Sequence, residues 1–122
     1  MKKANNDPTS MLPLTPATFH ILLALVNNDQ HGYGIMKEIA ERTEQRVNIG
    51  AGTLYGAIKR LLAQGLIIEV GERPDPELDD ERRRYYRLTE FGSRVVQAEA
   101  ERLADLVRQL QAKQLLPQLN TR

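Results

Sequence analysis

The residues best suited to chemistry in this chain are cations set beside small hydrogen-bonding groups. Gly52, Thr53, Tyr55 and Gly56 precede Lys59 and Arg60 within GTLYGAIKRLLAQGLI, and Arg82, Arg83 and Arg84 open RRRYYRLT further on. Small or hydrogen-bonding residues at the start of a helix let its backbone approach base edges in a major groove, and cations farther along meet phosphates. Such a helix, followed by two short strand-like runs of which the second begins with arginines, has the order of parts of a winged helix on DNA. The arginines would neutralise flanking phosphates, whereas the acidic insert before them would be repelled. The competing reading makes Lys59 and Arg60 a solvated helix surface. Tyr33 either reaches phosphate from the second helix or packs between helices, and Tyr86, on a strand face with Leu88, belongs to the core.

Catalytic chemistry has little support. His20 lies on an apolar helix and His31 beside Gly32, neither with a neighbouring constellation. The glycine pairs at 32 and 34 and at 50 and 52 lack the further glycine and preceding strand of a dinucleotide loop. Glu41 and Glu44 have no histidine at ligand spacing. No catalytic residue, metal site or cofactor is expected, and the chain is not read as an enzyme.

The 122 residues suit one small domain with one core and an appended helix. Apolar residues at 41% and charged ones at 27% are ordinary for a folded globular chain. The formal net charge is only +1, so the electrostatic case for nucleic acid rests on local clustering. The absence of cysteine excludes disulfides and thiolate sites and is compatible with a reducing cytoplasm. The longest apolar run, Ile21 to Val26, is far short of the roughly 20 residues of a spanning helix, so no membrane is expected. Lys2 and Lys3 are followed by Asn5, Asn6, Asp7 and Pro8 rather than an apolar segment, which predicts a flexible arm over residues 1–14 and not a signal peptide.

Thr15 and Pro16 mark a helix start, because threonine caps an open amide and proline has none to satisfy. Phe19, Leu22, Leu23 and Val26 form the apolar face of that first helix. A second helix over Tyr33 to Thr43 carries Ile35, Ile39 and Ala40 on one stripe. The third, Ala51 to Gln64, buries Leu54, Ile58, Leu61 and Leu62 and stops at Gly65 in left-handed geometry. Leu66 to Val70 reads as a strand with Leu66, Ile68 and Val70 on one face. In the next run Arg84, Tyr86 and Leu88 face one way and Arg83, Tyr85 and Arg87 the other. The two strands make a hairpin whose tip, with Pro74, Pro76 and the acidic residues between Glu72 and Glu81, is expected to be mobile.

From Thr89 to Leu116 helical periodicity returns, with Val96, Ala100, Leu103, Val107 and Leu110 alternating by four and three as in a heptad seam. A helix of that length spans roughly 40 Å, more than a three-helix core covers, so part of its apolar face needs a partner. A helix lying back over its own domain is the alternative.

The segments HGYGIMKEI at 31–39, GTLYGAIKRLLAQGLI at 52–67 and RRYYRLTEFG at 83–92 together resemble the PadR family of bacterial transcriptional regulators. The resemblance implies a winged helix-turn-helix, mainly α with a small β-hairpin, over residues 15–88. It implies a C-terminal dimerisation helix of the short type over 89–116, ahead of a tail at 117–122. It further implies a homodimer, usually a repressor, on an inverted-repeat operator of double-stranded DNA, and permits a small-molecule effector at the dimer interface. Gly50 and Ala51, at the start of helix three, and the acidic wing tip depart from the family pattern. The rival is a winged helix used as a protein-interaction module without an operator.

Overall fold

Thr15 and Pro16 start the first helix as their chemistry requires. The computed structural model describes residues 7–74 and 82–118, with Arg73, Pro74 and Arg82 by backbone alone. The elements are a 3-10 turn at Pro8–Met11, α1 Pro16–Ala24, β1 Gln30–His31, α2 Gly32–Arg42, α3 Ala51–Ala63, β2 Ile67–Pro74, β3 Arg82–Leu88 and α4 Glu90–Ala112. The strands form one antiparallel sheet in the order β1-β3-β2. The described residues form a winged helix of four helices and a small sheet. The acidic tip at 75–81 lies outside the described residues, as do the first six residues and the last four.

The hairpin gains a third strand that periodicity does not signal. Gln30 pairs with Tyr86 and His31 with Tyr85, and a strand of two residues in a polar turn has no alternation to read. Arg87 locks the same corner by donating to both oxygens of Asp29, at 2.9 and 2.8 Å.

Ile21, Leu22, Leu25, Ile35, Ile39, Leu54, Ile58, Leu61, Leu66, Ile67, Tyr86, Val95 and Val96 join one core. Two predicted faces shift. In α1, Ile21, Leu22 and Leu25 are buried while Val26 is 39% exposed and Phe19 half-buried, because α2 and α4 both pack against this helix. In the first strand the inward residue is Ile67, opposite Leu88, whereas Ile68 is 45% exposed opposite Arg87. The cause is the end of α3. Gly65, at φ +76°, donates to the Leu62 carbonyl and Leu66 to the Leu61 carbonyl, so Leu66 still belongs to helix termination and alternation begins one residue later. Leu62 is 37% exposed, and Ala57 takes its place in the α3 stripe.

Thr89 joins the wing to α4. Its hydroxyl donates to the Gly65 carbonyl at 2.6 Å and accepts the Gly92 amide at 2.9 Å, while its own amide donates to the Leu66 carbonyl at 3.0 Å. Gly92 packs directly on that Leu66 carbonyl, where a Cβ would overlap it. α4 ends at Ala112, earlier than the predicted Leu116, because Gln114 adopts φ +64° and Leu115 donates back to the Leu110 carbonyl.

The arm departs from expectation over residues 7–14. Asp7 caps the 3-10 turn by accepting the Thr9 amide, and the turn packs against α4. Met11, Leu12 and Leu14 cover the core, and the Leu14 amide donates to Glu99 on α4 at 3.1 Å. Apolar side chains at 11, 12 and 14 supply the burial that holds this segment down, which the polar composition of its first half hides.

The hydrogen bonds from Arg102 hold the Glu99 carboxyl below the usual carboxylate range against the opposing effect of burial, and the Leu14 amide adds to them. Its contribution to stability is therefore complete above about pH 4.3, the ordinary glutamate value, and is lost as pH falls through the lower folded value. In thermal melts between neutral and acidic pH, Glu99→Gln should lose less Tm on acidification than the parent chain; equal losses would refute this linkage.

Candidate nucleic-acid interface

The N-terminus of α3 begins at Gly50, which is extended and makes no side-chain cap bond. From there the helix divides cleanly. Leu54, Ala57, Ile58 and Leu61 are buried, and Gly52, Thr53, Tyr55, Gly56, Lys59 and Arg60 are all exposed on the remaining circumference. The first turns thus present small and hydroxylated groups, with two cations one to two turns later.

The segment His31-Gly32-Tyr33-Gly34 connects this helix to the wing. His31 Nδ1 accepts the Gly34 amide at 2.9 Å and caps α2. Gly32 leaves room for Tyr55, since a Cβ there would overlap the Tyr55 hydroxyl. Tyr33 is 42% exposed and stacks at 6.3 Å on the His31 ring, which in turn meets the edge of Tyr85 at 5.1 Å. The guanidinium carbon of Arg83 sits 5.6 Å from the centre of the Tyr33 ring, within cation–π range. Tyr33 accordingly reaches the wing arginine rather than packing between helices. A cleft of about 280 Å³ lined by His31, Gly32, Tyr55, Arg83, Arg84 and Tyr86 marks the meeting of α2, α3 and β3.

The three arginines are not equivalent. Arg82 is described only by its backbone pairing with Pro74. Arg83 lies over Tyr33. Arg84, on the opposite strand face, has its Nε 3.8 Å from carboxylate oxygens of both Glu69 and Glu72. Cross-strand placement from Arg84 is the sequence signal for these two β2 carboxylates; Glu72 is a partner of the basic strand and not part of a remote acidic tip. Tyr86, 6% exposed, is in the core as its strand face implied, and burial pushes its hydroxyl up, helped by Glu69 and Tyr55.

His20 is structural. Its Nδ1 lies 3.0 Å from Arg42 Nη1 and its carbonyl accepts from Nη2 at 3.3 Å, which ties α1 to α2. Burial first, and Arg42 second, push the ring below the ordinary histidine range.

On α4 the residues of the proposed seam separate. Val96 is 9% exposed and closes this chain's own core, so it has little surface left for a partner. Ala100 is exposed on the flank, Val107 is half-buried, and Leu103 and Leu110 are 36% and 39% exposed. Leu106, which the four-and-three repeat passes over, is 41% exposed. Taken at 100° per residue, Gly92, Val95, Glu99, Leu103, Leu106 and Leu110 follow one stripe, which is buried in its first half and open in its second. Among the described residues, no helix is long and apolar enough to cross a membrane.

A family model described as the transcriptional regulator PadR-like family matches residues 21–98. The chain belongs to this family. An uncharacterised protein of Lysinibacillus sphaericus is 36% identical over 73 residues, 59% of this chain and 63% of its own length. A 37.1 kDa protein encoded in a Streptomyces fradiae transposon is 34% identical over 86 residues, 70% of this chain; the chain spans only 22% of that relative. Among solved structures, a transcriptional regulator from Clostridium thermocellum superposes with a TM-score of 0.63 at 30% identity, covering 79% of this chain and 89% of that one. Bacillus subtilis PadR in complex with operator DNA shares the fold, with a TM-score of 0.58 at 22% identity over 75% of this chain and 48% of that one. The family consists of regulators rather than enzymes, in line with the lack of a catalytic constellation in the sequence.

Two glycines of this PadR-family chain differ in what surrounds them. Gly92 abuts a backbone carbonyl that cannot withdraw, whereas Gly32 abuts the far end of a half-exposed tyrosine. Gly92→Ala should cost about 2 kcal/mol or more, as overpacking against fixed backbone does. Gly32→Ala should cost less than about 1 kcal/mol but displace Tyr55. Denaturant melts with tyrosine near-UV dichroism check both, and equal losses would contradict the contrast.

Proposed function

We propose that this chain is a homodimeric, sequence-specific DNA-binding repressor acting on an inverted-repeat operator in the cytoplasm. The observation that carries this reading is the exposed face of α3 set beside Arg83 and Arg84 of the wing. Gly52, Thr53, Tyr55 and Gly56 would approach base edges; Lys59, Arg60, Arg82, Arg83, Arg84 and Tyr33 would meet phosphates. Half-sites would lie about one helical turn apart. The operator-bound structure of Bacillus subtilis PadR supports the assignment through its shared fold.

The open half of the α4 stripe supports the dimer. Leu103, Leu106 and Leu110 would pair with a second copy, with Ala100 and Val107 at the margins. An effector at that interface would act through unequal affinity for different arrangements of the two wings. With no tryptophan in the chain, tyrosine and phenylalanine rings are the groups available to stack on it.

Selection of duplexes from a random library should return an inverted repeat bound at least about 10³ times more tightly than scrambled sequence. Arg83→Ala should weaken both to a similar degree and flatten the salt dependence by about two, one phosphate contact per protomer. Lack of sequence preference at every salt concentration would leave the protein-interaction module as the better reading.

Leu103→Lys/Leu110→Lys should be monomeric in sedimentation experiments while keeping the helical content of the parent. A variant that is still dimeric would overturn the seam.

A further inference from the structure

Glu99 is a buried carboxylate with no part in the DNA-facing surface. It is 2% exposed and stands on α4 one turn beyond Val95 and Val96, where the stripe that closes the core gives way to the open leucines. Its Oε2 accepts the Leu14 amide at 3.1 Å and Arg102 Nη2 at 2.9 Å, and its Oε1 accepts Arg102 Nε at 2.6 Å. Leu14 immediately precedes Thr15, whose hydroxyl caps α1. The side chain therefore grips the backbone at the start of the first helix, from the last anchored turn of the terminal helix.

Apolar side chains of similar volume would stabilise such a contact as well or better than a carboxylate buried beside a half-exposed arginine. They would lack direction. Only the bond from the Leu14 amide crosses to α4 from the segment leading into α1; Arg102, on α4 itself, orients the carboxylate that receives it, and one directed bond to backbone defines the rotation of α4 more narrowly than packing alone.

We infer that Glu99 is a positioning residue: it fixes the angle at which α4 leaves the winged-helix domain and, through that angle, the half-site spacing that the dimer accepts. The inference rests on the dimer and operator readings above. The scale is right for it. From Glu99 to Ala112 the helix runs on for roughly 20 Å at about 1.5 Å per residue, so a tilt of about 10° moves its far end by about 3.5 Å. One base pair advances about 3.4 Å, and a two-fold axis applies the tilt to both protomers. A small loss of angular definition is thus enough to blur spacing by one or two base pairs.

The experiment uses the full chain and its selected operator, rebuilt with the same half-sites and spacers lengthened or shortened by one and two base pairs. The parent should favour one spacing by roughly tenfold or more. Glu99→Leu/Arg102→Met should keep helical content, the dimer and affinity for the half-site sequence, but bind the spacing series with affinities within about threefold of one another. Glu99→Met, which lets Arg102 turn to solvent, serves the same purpose if the double variant does not fold. Glu99→Gln, which keeps an acceptor for the Leu14 amide, should retain the parental preference. An unchanged preference in the apolar variants would overturn the inference, and so would uniform weakening at all spacings, the signature of a merely structural role. Failure of the parent to select any duplex, or to dimerise, would instead count against the operator and dimer readings.

Discussion

Everything that faces outward in this protein is referred to one small knot of backbone, formed by Gly65 and Leu66 on one side and Thr89 and Gly92 on the other. Leu66 closes α3 through the Leu61 carbonyl, and its own carbonyl accepts the Thr89 amide at 3.0 Å. Thr89 spans the gap a second time through the Gly65 carbonyl while capping α4. Three elements are thereby fixed to each other over very few residues: the helix proposed to read bases, the wing and the helix proposed to dimerise. Each bond is short and local, and Gly92 is there because the α4 backbone rests against the Leu66 carbonyl. The wing cannot tilt on α3 without breaking the same contacts that set α4.

Charge is arranged around this frame by compensation more than by excess. A chain of net charge +1 cannot attract DNA as a whole, so its cations matter by position. Arg87 is committed to Asp29 and holds the sheet corner. Arg84 is offset by Glu69 and Glu72, with which a phosphate would have to compete. Arg83 lies over the Tyr33 ring, which orients its guanidinium. Exposed pairs such as those of Arg84 contribute little to stability; their stronger effect is to lower the positive potential of the wing.

The parts that could be read from sequence were those set by local chemistry. Thr15-Pro16, Thr89 and Gly65 each specify one helix terminus through a single donor, ring or φ value, and all three occur where expected. The division of β3 into a face with Arg84, Tyr86 and Leu88 and a face with Arg83, Tyr85 and Arg87 followed from pleat geometry alone. What failed depended on distant neighbours. The inward face of β2 depended on how many residues the end of α3 consumes, and a shift of one exchanged Ile67 for Ile68. The arm at 7–14 is ordered by α4, and Glu99 meets Leu14 across 85 positions of sequence. β1 exists because β3 supplies its partner. On α4, the repeat of four and three includes Ala100 and passes over Leu106, which is 41% exposed beside Leu103 and Leu110. The exposed surface of α3 could be foreseen because Leu54, Ile58 and Leu61 define the buried side, although Leu62 yields its place there to Ala57; the brace that Gly32 gives Tyr55 could not, since it joins two helices.

The α4 stripe shows how a single helix could serve the proposed dimer. A separate dimerisation domain would need its own core, and a single helix cannot provide one. Here the first half of the helix borrows the winged-helix core through Val95 and Val96, which holds the second half helical and projecting with Leu103, Leu106 and Leu110 open. The order of the apolar surface is thus prepaid by folding of the domain, and a second copy would meet a preformed face rather than a fraying peptide. Glu99 stands at the change of role between the two halves. A continuous apolar stripe would let a second copy slide along it toward the core; in the proposed dimer the buried Glu99 carboxylate, oriented by half-exposed Arg102, opposes this, because covering it without its partners would strand a charge away from water.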